Sequence, residues 1–192
     1  MKSYEMTIGP EGYLPPSVSE RGVIGASKGE GLVLGKRVSE QHAIDETARR
    51  LIHARNPTIF PGPLVLWAWS DQAVRESRAV KALAEAVPAK LIPMADYRPK
   101  YPKIVPEKEI NPNHPNLTIW KNKIDVCLFV GVHCHQSNIA LKIIRGGTDC
   151  FTIALCTFSG DDEAHITIRD LTAATIQRIV DSVHRQKRER PS

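Results

Sequence analysis

Ile124-Asp-Val-Cys-Leu-Phe-Val-Gly-Val-His-Cys-His135 is the stretch that decides how this chain folds. Ile124 to Val130 is apolar on consecutive residues, which fits a strand buried on both faces of a sheet. Gly131 stops it. Gln136 to Arg145 then has the spacing of a helix, so the His133-Cys134-His135 cluster is expected at a strand-to-helix junction. In open parallel α/β sheets ligands bind in such turns, at the carboxyl ends of the strands.

Working outward, the same grammar repeats. Ser39 with Glu40 and Gln41 opens a helix through about Ala54, stopped by Asn56-Pro57. Pro63 to Trp69 reads as a continuous apolar strand. Ser70 or Asp71 can cap the next helix, to about Val87. Ala89–Met94, Phe151–Cys156 and Ala164–Ile168 read as further strands, the last on an edge. A final helix begins near Asp170 or Thr172 and ends near His184. Strands alternating with helices predict an α/β domain. Its sheet is mostly parallel, with five to six strands and helices on both faces.

Two segments depart from this alternation. Residues 1–38 hold seven of the twelve glycines and show weak periodicity, which predicts an extended Gly-rich arm ordered against a partner. Residues 39–192 then form a single α/β domain. Within it, 95–116 is a Pro-rich loop with Pro99, Pro102, Pro106, Pro112 and Pro115. Structureless stretches of that length inside a domain are often functional, and a lid or partner contact weighs equally with a plain surface insertion.

Composition bounds the rest. At 192 residues, 42% hydrophobic and 24% charged, the chain suits one soluble domain. No apolar run approaches the ~18 residues of a membrane helix, so no membrane association is expected. Met1-Lys-Ser-Tyr-Glu-Met6 has no hydrophobic signal core. Cys127, Cys134, Cys150 and Cys156 form no CxxC pair, which favours a reducing cytoplasm. The net charge is +5, concentrated in His184–Arg190 and in Lys100, Lys103 and Lys108. A solvated helix end is the preferred reading of the tail. Basic and aromatic residues do not interleave, so nucleic acid is not an expected partner. An acidic protein such as ferredoxin is a candidate, through salt-sensitive docking.

Three chemistries compete at the central turn. His133, Cys134 and His135 are zinc-ligand types, with His165 or Cys156 as conceivable further ligands. In an extended segment, however, only His133 and His135 face the same way, and four ligands are not at hand. Cys134 is a potential nucleophile at a helix start, yet no carboxylate orients a base. The third reading is a pocket where strand-end turns converge. It would be built from Trp69, Ser70, Gly131, His133, His135, Thr157, Phe158 and Ser159 and suit FAD or another nucleotide. Trp67 is assigned to the core. No catalytic residue and no metal set is assigned. Gly29-x-Gly31-x-x-x-Gly35 imitates a dinucleotide fingerprint, but no strand precedes it.

The block Arg55-Asn-Pro-Thr-Ile-Phe-Pro-Gly-Pro-Leu-Val-Leu-Trp67 is followed by an alanine-rich helix, Ala89-Lys-Leu-Ile-Pro93, His114-Pro115 and Ile124-Asp-Val-Cys-Leu-Phe-Val-Gly-Val132. This order resembles the epsilon subunit family of the archaeal carbon monoxide dehydrogenase/acetyl-CoA synthase complex, over roughly residues 40–185. Similar proteins also accompany 2-oxoacid:ferredoxin oxidoreductases. The resemblance implies a Rossmann-like fold in the manner of NAD/FAD-binding domains, like the central domain of thiamine-diphosphate enzymes. It further implies an oligomeric assembly in which a non-catalytic accessory subunit joins catalytic subunits, with a structural or electron-transfer-supporting role. Iron-sulfur clusters, and thiamine diphosphate or nickel, would then sit on those partner subunits. The family tends to carry aromatic residues where His133, Cys134 and His135 stand here. The runner-up expectation is a nucleotide- or flavin-binding enzyme using the strand-end pocket.

Overall fold

The computed structural model describes residues 26–62, 65, 70–94, 114–155 and 163–189. Seven described strands are β1 (Glu30–Val33), β2 (Lys36–Ser39), β3 (Pro57–Pro61), β4 (Lys90–Leu91), β5 (Val126–Val130), β6 (Phe151–Leu155) and β7 (Ile166–Ile168). Five described helices are α1 (Glu40–His53), α2 (Asp71–Ala86), α3 (Pro115–Asn122), α4 (Cys134–Gly147) and α5 (Ala173–Arg188). The strands form one sheet in the order β2-β1-β7-β6-β5-β3-β4. From β7 to β4 all neighbours run parallel, and β1 is antiparallel to both β7 and β2. This is the Rossmann-like architecture expected.

The core divides by strand parity, because successive side chains leave a strand on opposite faces. Val126, Leu128 and Val130 face one cluster with Ile44 and Leu51 of α1, Leu83 of α2 and Ile176 and Ile179 of α5. Cys127 and Phe129 face the other, with Ile119 of α3 and Leu141 and Ile144 of α4. Burial of β5 on both sides is why its residues are apolar without alternation.

The order of elements also corrects several expectations. The strand expected at Pro63–Trp69 is instead Pro57–Pro61; Val65 is helical, and the other residues from 63 to 69 lie outside the described set. Pro57 and Pro61, which lack the N–H a ladder needs, fall at the two ends of β3 and leave Thr58-Ile59-Phe60 inside. β7 is not an edge strand: β1 pairs along its outer side. The arm expected over 1–38 is not an arm from Glu30 onward. β1 and β2 form a hairpin with Val33 opposite Lys36, closed by Leu34 (φ 50°) and Gly35 (φ 73°). Two positive φ values match the twist of a two-residue hairpin turn. Gly31 in this hairpin lies flat against Ala43 of α1, where a Cβ would come within 2.7 Å of the Ala43 Cβ. The imitation of a dinucleotide fingerprint is therefore a hairpin.

Helix ends follow their caps. Ser39 Oγ accepts from His42 N at 3.2 Å, Ser70 Oγ from Ala73 N at 3.2 Å, and Thr172 Oγ1 from Thr175 N at 3.1 Å. α1 stops at His53, and a clamp follows. The Asp125 carboxylate accepts the backbone N–H groups of Arg55 (2.7 Å) and Asn56 (2.9 Å), and the Asn56 side-chain amide donates to the carbonyls of Asn122 and Lys123. The start of β3 is thus tied to the start of β5. α5 runs one turn past the expected His184. Its basic end is exposed, as expected, with two surface contacts: Arg185 reaches Asp45 (2.5 Å), and Lys187 donates to the Ala86 carbonyl (2.7 Å).

One histidine is held by this scaffold. Thr152 N–H donates to His165 Nδ1 at 3.0 Å, and the ring stacks on Phe151 at 4.6 Å. Arg50 lies 4.2 Å from the centre of the Phe151 ring. Burial, then the charges of Arg145 and Arg50, hold the His165 pKa below its usual 6.5. The folded state therefore binds this proton less readily than the unfolded chain. The associated stability is full above pH ~6.5 and falls as pH drops below it. The melting temperature is expected to fall between about pH 7 and pH 5, and to fall less in His165→Asn, whose Oδ1 can take the Thr152 N–H without titrating. The low-lying carboxylates Asp45 and Glu46 lose their contributions only in more acid solution. An identical pH profile for the variant would sink this assignment.

Candidate functional site

The strand order reverses between β3 and β5. From β3 the chain crosses to β4 on one side, then returns to β5 and proceeds outward through β6 and β7. Such a reversal is where open α/β sheets open a crevice at the strands' carboxyl ends. Here the two strand ends meet closely. Gly62 N–H donates to the Val130 carbonyl at 2.7 Å. A Cβ on Gly62 would stand 2.0 Å from the Gly131 oxygen, so no other residue fits there. Gly131 turns away with φ 63°, in the left-handed region that favours glycine, and its N–H reaches the Leu155 carbonyl at 3.3 Å.

The expected histidine cluster follows directly, but not as an extended segment. α4 begins at Cys134, two residues before the expected start, so His133 is its N-cap and Cys134 and His135 are its first turn. The His133 carbonyl accepts from Ser137 N at 2.8 Å. The His133 and His135 rings stack at 6.1 Å with 27° between planes. Both residues are exposed. Ser70 belongs to the turn after β3, exposed, with its hydroxyl committed to capping α2. Trp69, Thr157, Phe158 and Ser159 lie outside the described residues, as does Cys156.

His165 is at the opposite edge. It precedes β7, beside Phe151 at the start of β6, whereas His133 follows Val130 at the end of β5, level with Leu155. About 3.3 Å per strand residue separates those levels by more than ~10 Å. His165 therefore cannot complete a metal site with His133 and His135. Cys127 and Cys150 are buried free thiols. Burial, with a hydrogen bond to Cys150, pushes the Cys127 thiol well up, which makes it inert rather than nucleophilic.

One residue at this turn escaped the sequence reading. Gln136, in the first turn of α4, is 5% exposed, and neither end of its amide has a hydrogen-bond partner among the described residues. An unpaired buried amide costs roughly 1–3 kcal/mol, so native structures seldom leave one. Nothing in the sequence marks it, because glutamine is an ordinary helix residue. The start of α4 thus combines backbone N–H groups at a helix N-terminus, suited to an anion, with a side chain offering both a donor and an acceptor. If the turn holds a cofactor, Gly131, His133, His135 and Gln136 are the described residues placed to contact it.

The family model of the CO dehydrogenase beta subunit/acetyl-CoA synthase epsilon subunit matches residues 13–179. The chain belongs to that family. The match runs from ahead of the hairpin into α5, across every strand of the sheet. No curated protein matches the chain. Two blocks of sequence that resemble the epsilon subunit family, Arg55-Asn-Pro and Ile124-Asp, are the two halves of the clamp between β3 and β5. Members of the family are subunits of CO dehydrogenase/acetyl-CoA synthase. Among the described residues no helix is long and apolar enough to cross a membrane.

Proposed function

We propose that this protein is a non-catalytic accessory subunit of a multi-subunit oxidoreductase of carbon metabolism. The complex is of the carbon monoxide dehydrogenase/acetyl-CoA synthase type or the 2-oxoacid:ferredoxin oxidoreductase type. The observation that carries this reading is the family match over residues 13–179. Its role is structural or supports electron transfer, in the cytoplasm. The catalytic subunits bear the iron-sulfur clusters and the nickel or thiamine diphosphate, and ferredoxin is the candidate electron carrier. Affinity purification of the tagged chain from its own cells is expected to bring down stoichiometric further chains with iron, measured by elemental analysis. Nickel or thiamine diphosphate in that fraction separates the two types of complex. Recovery of the chain as a stable monomer with no companion would overturn the reading.

A second reading has its own support. The unpaired Gln136 amide beside the Gly131–His135 turn favours a bound FAD or other nucleotide, and with it a nucleotide- or flavin-dependent enzyme. A ligand that binds only the folded state raises the melting point by mass action. FAD, NAD and CoA are to be titrated separately in a thermal-shift assay. A saturable rise that is lost in Gln136→Leu supports this reading, and no shift at saturating ligand removes it.

A further inference from the structure

α4 opens differently from the helices of the other layer. α1, α2 and α5 start after Ser39, Ser70 and Thr172, whose hydroxyls each accept an N–H of the first turn. α4 starts after His133, which makes no side-chain cap bond, and its first turn holds no carboxylate. First-turn N–H groups have no partner within their own helix. Those of Cys134, His135 and Gln136 therefore face the turn after β5, at the strand reversal. Such groups favour an anion, phosphate above all.

Gln136 adds a second requirement. It is buried on the face of α4 that also carries Ser137, Ala140 and Leu141, and both polar ends of its amide are unpaired among the described residues. A helical side chain leans toward the N-terminus of its helix, so this amide is carried toward the same turn. A carboxamide needs a donor for its oxygen and an acceptor for its nitrogen. Ionised phosphate oxygens only accept, so a bare phosphate would leave Gln136 Oε1 unpaired. A vicinal diol meets both needs: one hydroxyl donates to Oε1, and its neighbour accepts from Nε2. In a nucleotide the ribose, with its 2′- and 3′-hydroxyls, is the part joined to the phosphate, and the base edge lies beyond it.

We infer that the start of α4 is the ribose-phosphate subsite of a nucleotide, with the phosphate on its N–H groups and the ribose diol on the Gln136 amide. The inference rests on the nucleotide-binding reading and adds to it the moiety recognised. It makes the site sensitive to the sugar and indifferent to the base. Among the ligands of that reading, FAD and NAD carry a free adenosine diol, whereas the 3′-hydroxyl of CoA is phosphorylated. FAD and NAD are therefore the better fits.

The test titrates the full chain with ADP, IDP, 2′-deoxy-ADP and FAD, read by melting temperature and by calorimetry. ADP and IDP are expected to bind alike. 2′-Deoxy-ADP is expected to bind about tenfold more weakly, because one end of the buried amide loses its partner. Gln136→Met keeps the side chain's length and removes the amide. It should bind ADP and 2′-deoxy-ADP equally, at the weaker affinity, and its melting temperature without ligand should not fall, since an unpaired buried amide is gone. His135→Asp, on the exposed side of the first turn, sets a carboxylate at the anion subsite while suiting the helix dipole. It should weaken all four ligands about tenfold and leave the preference for ADP over 2′-deoxy-ADP intact. Equal binding of those two by the parent overturns the proposal, as does a sugar preference that persists in Gln136→Met. A preference for ADP over IDP that vanishes in Gln136→Met assigns the amide to the base and overturns it too. In each of these cases a saturable shift with FAD leaves the nucleotide-binding reading standing. No shift with any of the four removes both.

Discussion

Gly62→Ala is expected to cost about 4 kcal/mol, in the exceptional tail for single substitutions. The new Cβ would lie 2.0 Å from the Gly131 oxygen, 2.5 Å from its carbonyl carbon and 2.8 Å from the Val132 Cα. All three are backbone atoms, so no side chain can swing aside. The strand ends must part, which breaks the bond from Gly62 N–H to the Val130 carbonyl and leaves both groups buried without partners. Chemical denaturation gives the number, with Gly146→Ala as the matched control. A Cβ at Gly146, near the end of α4, meets nothing within 4 Å. That control should gain roughly 0.5–1 kcal/mol from alanine's helix propensity. A Gly62→Ala midpoint equal to the parent's would show that the two backbones do not touch.

Phe129→Ala is expected to cost a similar ~3–5 kcal/mol, by the opposite route of an emptied core. Phe129 is 1% exposed at the centre of the sheet and meets the Phe60 ring edge to face, with centroids 5.3 Å apart and planes at 70°. Its cluster is covered by only two described helices, α3 and α4, so few elements can collapse into the gap. Loss of the aromatic pair adds to the loss of transfer energy. Phe129→Leu keeps most of the volume and should cost less than half as much. If alanine and leucine prove equal at this site, the ring is not packed as described.

Legibility in the sequence followed the physics of each element. β5 was plain because burial on both faces demands an unbroken apolar run, and the three helices of the α1 layer were plain from period and capping residues. β3 was misplaced because prolines bracket it, while the apolar run beyond it has the better strand composition. The hairpin went unseen because Leu34-Gly35 turns it, not the Asn-Gly pair that usually signals such a turn. α3 was hidden by its eight-residue length and a His114 N-cap that makes no side-chain bond. At the site, Gly131 and the histidines were located by the strand that precedes them. Their being the first turn of a helix was not, because one turn more or less is decided by tertiary contacts. Gln136 matters only through its depth, which no pattern of types encodes.

The clamp on Asp125 joins residues seventy positions apart in the chain. Closing a loop of that size costs entropy that grows only with the logarithm of its length, about 0.6 kcal/mol for each doubling. Once the two strand starts are pinned to each other, the number of residues between Met94 and His114 has little leverage on whether the domain folds. Adding or removing a few residues there is therefore expected to change the stability of the fold by only a small fraction of a kcal/mol.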